Sequence, residues 1–175
     1  MKHTLLVMIG FAWLLAGYSC KKGDQGDPGP AGTANVTYSE WFTPTPYTRD
    51  TVFGTWGFYY NKAAPQITQQ VLDNGTVLTF GKLLGYVSDI WPRTQVSQLP
   101  ISITYKFGAN PTLDVWSALL SPGNLRIRLT NDRNAYSSVN SIHQFRYIII
   151  PGGTSMARQA NLSYHEICKQ YNIPE

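Results

Sequence analysis

Residues that usually carry chemistry are scarce in this sequence. It has only two cysteines, Cys20 and Cys168, which excludes a disulfide-dense scaffold and a four-cysteine zinc site. Its three histidines, His3, His143 and His165, stand apart, with no second His or Cys at metal-ligand spacing. A calcium loop needs oxygen donors at alternate places, and none is present. Asn131-Asp132-Arg133-Asn134 is polar, but reads first as a turn. The expectation is therefore no metal and no cofactor. Gly-x-Ser-x-Gly is missing, and a nucleophile needs a base beside it. His143 could meet a distant serine, but nothing in the spacing pairs them. Two carboxylates flanking a glycosidic bond would suit sugar hydrolysis, yet Glu40, Asp89 and Asp114 cannot be paired from sequence. Charge is sparse too, at 14% of residues with a net +4. The basic residues are scattered, and Arg126 and Arg128 alternate as on a solvated strand face. A basic stripe with stacking aromatics is absent, so no nucleic-acid partner is expected. These absences make an enzyme unexpected and leave a hydrolase as a lesser alternative.

Long apolar runs are also rare, with one informative exception. Lys2 and His3 precede the unbroken run Leu5 to Ala16. As a helix it spans roughly 18 Å, short of the ~30 Å hydrocarbon core. It reads as the apolar region of a signal peptide over residues 1–19. Gly17, Tyr18 and Ser19 lead to Cys20, and Lys21-Lys22 then turn the chain hydrophilic. This stretch resembles a bacterial lipobox, in which the cysteine is acylated and becomes the mature N-terminus. It departs from the common pattern by holding Gly17 and Tyr18 where Leu and a small residue usually stand; loose lipoboxes of this kind are similar to those of Bacteroidetes. Cleavage by ordinary signal peptidase is the rival reading, and a Cys20–Cys168 bridge is the rival use of the thiol.

Residues 20–34 read as a lipidated start and tether. Gly23, Gly26, Gly29 and Gly32 recur every third residue, with Pro28 and Pro30 between them. That is the collagen period. Four triplets favour an extended spacer of about 35 Å over a triple helix, although a membrane anchor would raise local concentration and permit trimers. The tether, the segment GTANVTYSEWF at 32–42, the ending FRYIIIPGG at 145–153 and SYHEICKQYNIP at 163–174 together resemble a group of Bacteroidetes exported lipoproteins with aromatic-rich domains. The resemblance covers both ends of the chain. It implies a cell-envelope location at the outer membrane, on its periplasmic or surface face, and implies no activity. Asp50-Thr51-Val52 is similar to the Asp-Ser/Thr-apolar acceptor of O-glycosylation in such exported proteins, which makes Thr51 a candidate modification site.

Residues 35–175 read as an all-β domain. Ile101, Ile103, Tyr105 and Phe107 alternate with Ser102, Thr104 and Lys106. Leu125, Ile127 and Leu129 alternate with Arg126, Arg128 and Thr130. Period-two alternation marks antiparallel strands with one wet face. Other expected strands are 36–42, 51–60, 66–72, 76–80, 84–88, 113–118 and 145–150, the last apolar on both faces near its end and so central or covered. Asp73-Asn74-Gly75 predicts a type I′ hairpin between 66–72 and 76–80. Ser121-Pro122-Gly123-Asn124 and Pro151-Gly152-Gly153 predict further turns. Ser163 followed by Glu166 predicts a capping box and opens one short C-terminal helix, with Tyr164, Ile167, Cys168 and Tyr171 on one apolar stripe. Cys168 on that stripe reads as an inert core thiol. The fold expected is an antiparallel β-sandwich, with barrel-like closure second.

Aromatics, at 13% of residues with five Trp and eleven Tyr, are the remaining lead. Most should fill the core. Trp41, Trp91 and Trp116 are the candidates for facing a ligand, since flat rings stack on sugars and suit protein interfaces. The function expected is a membrane-anchored, non-catalytic recognition module for glycan or protein. A structural role, trimerised through the tether, is the second class.

Overall fold

The computed structural model describes residues 35–152 and 162–175. The signal segment, Cys20, the tether and Gly153 lie outside them.

Nine strands are described: β1 Thr37–Tyr38, β2 Thr48–Val52, β3 Thr55–Ala63, β4 Thr76–Lys82, β5 Ser97–Gln98, β6 Ile101–Phe107, β7 Asn110–Ser121, β8 Asn124–Asn131 and β9 Gln144–Ile150. They form two antiparallel sheets, ordered β1-β9-β4-β5 and β2-β3-β8-β7-β6. The sandwich is therefore realised, and no barrel closes among the described residues. Two helices are found among the described residues, α1 Gln69–Asn74 and α2 Tyr164–Tyr171.

The alternation in β8 does what its period requires. Leu125, Ile127 and Leu129 are buried between the sheets, while Arg126 and Arg128 stay partly exposed on the other face. Arg128 pairs with Asp50 at 3.1 Å across that outer face. Gly57 makes room for the pair, since a Cβ there would stand 2.2 Å from the Asp50 carboxylate.

β9 explains its own doubly apolar sequence. Phe145, Tyr147 and Ile149 face the sandwich core with Phe58, Ile127 and Trp116. Ile148 and Ile150 face the other way, into a second cluster with Leu78, Phe80, Tyr164, Ile167 and Cys168. The four-stranded sheet is thus covered on both sides, by its partner sheet and by α2. The capping box is present: the Ser163 hydroxyl accepts from the Glu166 N–H, and the Glu166 carboxylate accepts from the Ser163 N–H at 2.7 Å. Asn172 takes the left-handed conformation that stops the helix, at φ 53°. Cys168 is a buried free thiol, and burial raises its pKa.

Several local expectations fail. Residues 66–72 are not a strand, and Asn74-Gly75 is not a hairpin. Thr68 instead caps α1 by accepting from the Val71 N–H, and Gly75 closes it by donating to the Val71 carbonyl. Gln, Val and Leu tolerate either state, and the cap decides. The type I′ geometry appears within the expected strand 51–60, at Phe53-Gly54, where both residues have positive φ (50° and 80°). Residues 84–88 are a loop, and this loop builds the site described next. β1 is also shorter than the expected 36–42, although Phe42 still bridges to Phe145.

Candidate functional site

β7 carries Thr112, Asp114 and Trp116 on its inward face, and all three are buried. Asp114 has no exposed surface. Burying a carboxylate is costly unless donors satisfy it, and here three do. Asn131 lies directly opposite it on β8 and donates from Nδ2 to Oδ1 at 2.6 Å. Tyr86 and Tyr136 each donate a hydroxyl proton to Oδ2 at 2.6 Å. Asn131 is held in turn, because its Oδ1 accepts from the backbone N–H groups of Arg133 and Ala135 at 3.0 and 2.9 Å.

The network continues outward. Trp116 donates from Nε1 to the Tyr86 oxygen at 3.0 Å. Tyr105, on β6, is hydrogen-bonded to the Tyr136 hydroxyl. Burial and the neighbouring Asp114 carboxylate push the Tyr86 and Tyr136 phenols well above their ordinary range, so both stay protonated.

This network forms the polar floor of a cavity of about 340 Å³. Tyr86, Val87 and Ile90 come from the loop after β4. Tyr136, Ser138, Val139, Asn140 and His143 come from the loop between β8 and β9. Tyr105, Phe107, Trp116 and Leu129 come from the five-stranded sheet. Two irregular loops thus roof one end of a rigid sheet, the usual division of labour between binding loops and scaffold. The volume is in the range of small-molecule pockets. Val87, Ile90 and Phe107 are exposed, which gives the mouth an apolar rim.

His143 is 6% exposed and packs on Trp116 with ring centroids 4.6 Å apart. Burial pushes its pKa down to about 4, against the opposing pull of Asp114. Its Nδ1 has no partner. Gly85 allows this packing, since a Cβ there would stand 2.7 Å from the imidazole Cε1. Ser138 lines the same cavity. No hydrogen bond between Ser138 and His143 is present among the described residues, and the hydrogen bonds to Asp114 come from Tyr86, Tyr136 and Asn131. The parts of a hydrolytic triad are near one another but are not wired as one.

The three tryptophans singled out by sequence are not open stacking faces. Trp116 has no exposed surface and forms part of the cavity wall from beneath. Trp91 sits in a loop, as expected, but is only 7% exposed and joins the sandwich core. Trp41 is half-buried beneath α2. Lys82 Nζ lies 4.1 Å from its ring centroid, and Tyr164 meets its edge. Thr51 is exposed on the edge strand β2, beside an Asp50 already engaged with Arg128. Cys20 lies outside the described residues. Of the carboxylates weighed from sequence, Asp114 alone enters the site, as a hydrogen-bond acceptor. Tyr86 and Tyr136 carry no sequence expectation as site residues, while Tyr105 is read only as part of a strand face and Asn131 only as part of a polar turn. One signal did exist: Asp114 shares strand parity with Trp116, and a tryptophan of that size marks an inward face.

Comparison with known protein families, with curated proteins and with solved structures finds no match for this chain.

Proposed function

We propose that this chain is a lipid-anchored cell-envelope protein whose β-sandwich is a non-catalytic recognition module, binding a small ligand in the cavity between the two loops. One observation carries the binding reading: an aromatic-walled cavity floored by a few convergent polar groups and a histidine of perturbed pKa. The burial of Trp91 and Trp116 and the capping of Trp41 favour an enclosed ligand over a glycan laid on an open aromatic face. Anchoring rests on the signal-like run and Cys20. The tether then serves as a spacer, and trimerisation through its triplets is the second structural reading.

Trp116 at the floor supplies the reporter for a test. A small-molecule library should yield ligands that change tryptophan fluorescence and raise the melting temperature of the full chain in detergent. Val139→Phe, which fills the cavity from its lining, should abolish both responses. Ligands that bind equally well after the filling would remove the cavity as the site.

A further inference from the structure

The hydrogen bonds at the cavity floor have a direction, and that direction selects a ligand class. A carboxylate only accepts. Tyr86 and Tyr136 must therefore spend their single protons on Asp114. The Tyr86 oxygen receives the Trp116 Nε1–H. Tyr136 has no proton left for Tyr105, so Tyr105 is the donor in the bond between them. Every proton in the chain Tyr105, Tyr136, Asp114 and in the chain Trp116, Tyr86, Asp114 thus points inward. What remains at the outer end, on the partly buried Tyr105, is an oxygen with free lone pairs.

His143 adds to this. It is neutral near pH 7 because burial disfavours its charged form. A neutral imidazole carries one N–H. Its Nδ1 is buried without a partner, so the ring adds to the cavity only the absence of a positive charge that would repel a cation. The electrostatics agree. The carboxylates of Asp114 and Asp132 both act on the Tyr105 hydroxyl, and the partly exposed rings of Tyr86, Tyr105 and Tyr136 are electron-rich and attract cations.

We infer that the cavity takes a small primary amine in its ammonium form, with an apolar body lying among Val87, Ile90 and Phe107 and an N–H donated to the Tyr105 oxygen. This rests on the cavity being the binding site. An anionic ligand would meet the buried carboxylate and lone pairs, and a neutral ligand would forgo the ring faces.

The test uses three probes of one shape, phenethylamine, phenethyl alcohol and phenylacetate, titrated into the full chain in detergent and followed by the side-chain NMR signals of Trp116 and His143. Phenethylamine should bind about ten-fold or more tightly than the alcohol, and phenylacetate should bind weakest. Tyr105→Phe removes the accepting oxygen and keeps the ring, and should erase most of the amine's advantage while leaving the alcohol within about two-fold. Asp114→Asn should act in the same direction; Tyr105→Phe, at a half-exposed position, keeps the test decisive if the Asn variant does not fold. Alcohol or acid binding as tightly as the amine would overturn the ammonium assignment and leave the cavity reading intact. An amine preference untouched by Tyr105→Phe would also overturn it. No response of Trp116 or His143 to any probe at about 10 mM, weaker than the weakest useful affinity scale, would overturn both.

Discussion

Arg146 donates from Nη1 to the Tyr164 hydroxyl at 2.7 Å and so ties the middle of β9 to the first turn of α2. Arg146 is 2% exposed, and no carboxylate answers it in a salt bridge among the described residues. Its other partners are the Ser39 carbonyl at 2.9 Å and the Pro174 carbonyl, with the Tyr38 ring 4.8 Å away. One cation thus gathers the first strand, a central strand, the last helix and the C-terminal end. The nearby guanidinium holds the Tyr164 phenol down, but burial prevails and raises it to about 12.

Arg146→Lys should be costly despite the retained charge, because an ammonium cannot reproduce the planar fork. Loss of two charge-assisted hydrogen bonds should lower stability by about 3 kcal/mol, read as a shift in urea midpoint with unchanged slope. Amide exchange in residues 164–175 should accelerate more than in β8. Equal exchange in both segments would show that Arg146 does not hold the helix locally.

The Asp114 network should behave as a unit. Asp114→Asn and Tyr136→Phe should each cost roughly 1–3 kcal/mol. Made together they should cost less than the sum, by on the order of 1 kcal/mol or more, because one bond is lost in both. Strict additivity in a double-mutant cycle of urea denaturation would separate the two residues energetically.

His143 makes stability depend on pH. The unfolded imidazole titrates near 6.5 and the folded one near 4. Between those values the unfolded chain binds more protons, so stability rises with pH. The stabilisation is complete above about 6.5 and is lost as pH falls toward 4, up to about 3 kcal/mol in all. His143→Phe keeps an apolar ring against Trp116 and removes this proton. The variant should overtake the parent chain in stability at pH 4.5 relative to their difference at pH 7.5. Parallel pH profiles would exclude His143 as the source.

Anchoring can be read by mass and fractionation. Cys20→Ser should block acylation and release or mislocalise the chain. The same intact-mass measurement on the native chain reports any sugar on Thr51, which Thr51→Ala should remove. Membrane association unchanged by the serine variant would end the lipid proposal; a native mass with no carbohydrate would end the Thr51 proposal.

Regular alternation was the most legible feature of this sequence. β6, β8 and the capped helix α2 could be placed because burial on one face leaves a periodic trace. The doubly apolar ending of β9 announced a strand covered on both sides. The helix α1 left a weaker trace, since six residues hold less than two turns and Asn74-Gly75 serves a helix end as readily as a hairpin. The cavity was least legible. Its walls and the network beneath them draw on Tyr86, Tyr105, Asp114, Tyr136 and His143, which are far apart in sequence and meet only when the two loops fold over β7. Asp114 sits on a strand where Leu113 and Val115 make the opposite face look like the core. Only Trp116 argued for the true parity.

The short first strand sets how the domain would bear load. Residues 37 and 38 pair with Ile149 and Ile148, the Ser39 N–H donates to Tyr147, and Phe42 exchanges hydrogen bonds with Phe145. Any tension arriving from the segment before residue 35 therefore falls first on contacts to β9, the strand shared by both hydrophobic clusters. Arg146 then grips the Ser39 carbonyl from the same strand. A pull applied there would pass to β9, the best-buried strand of the fold.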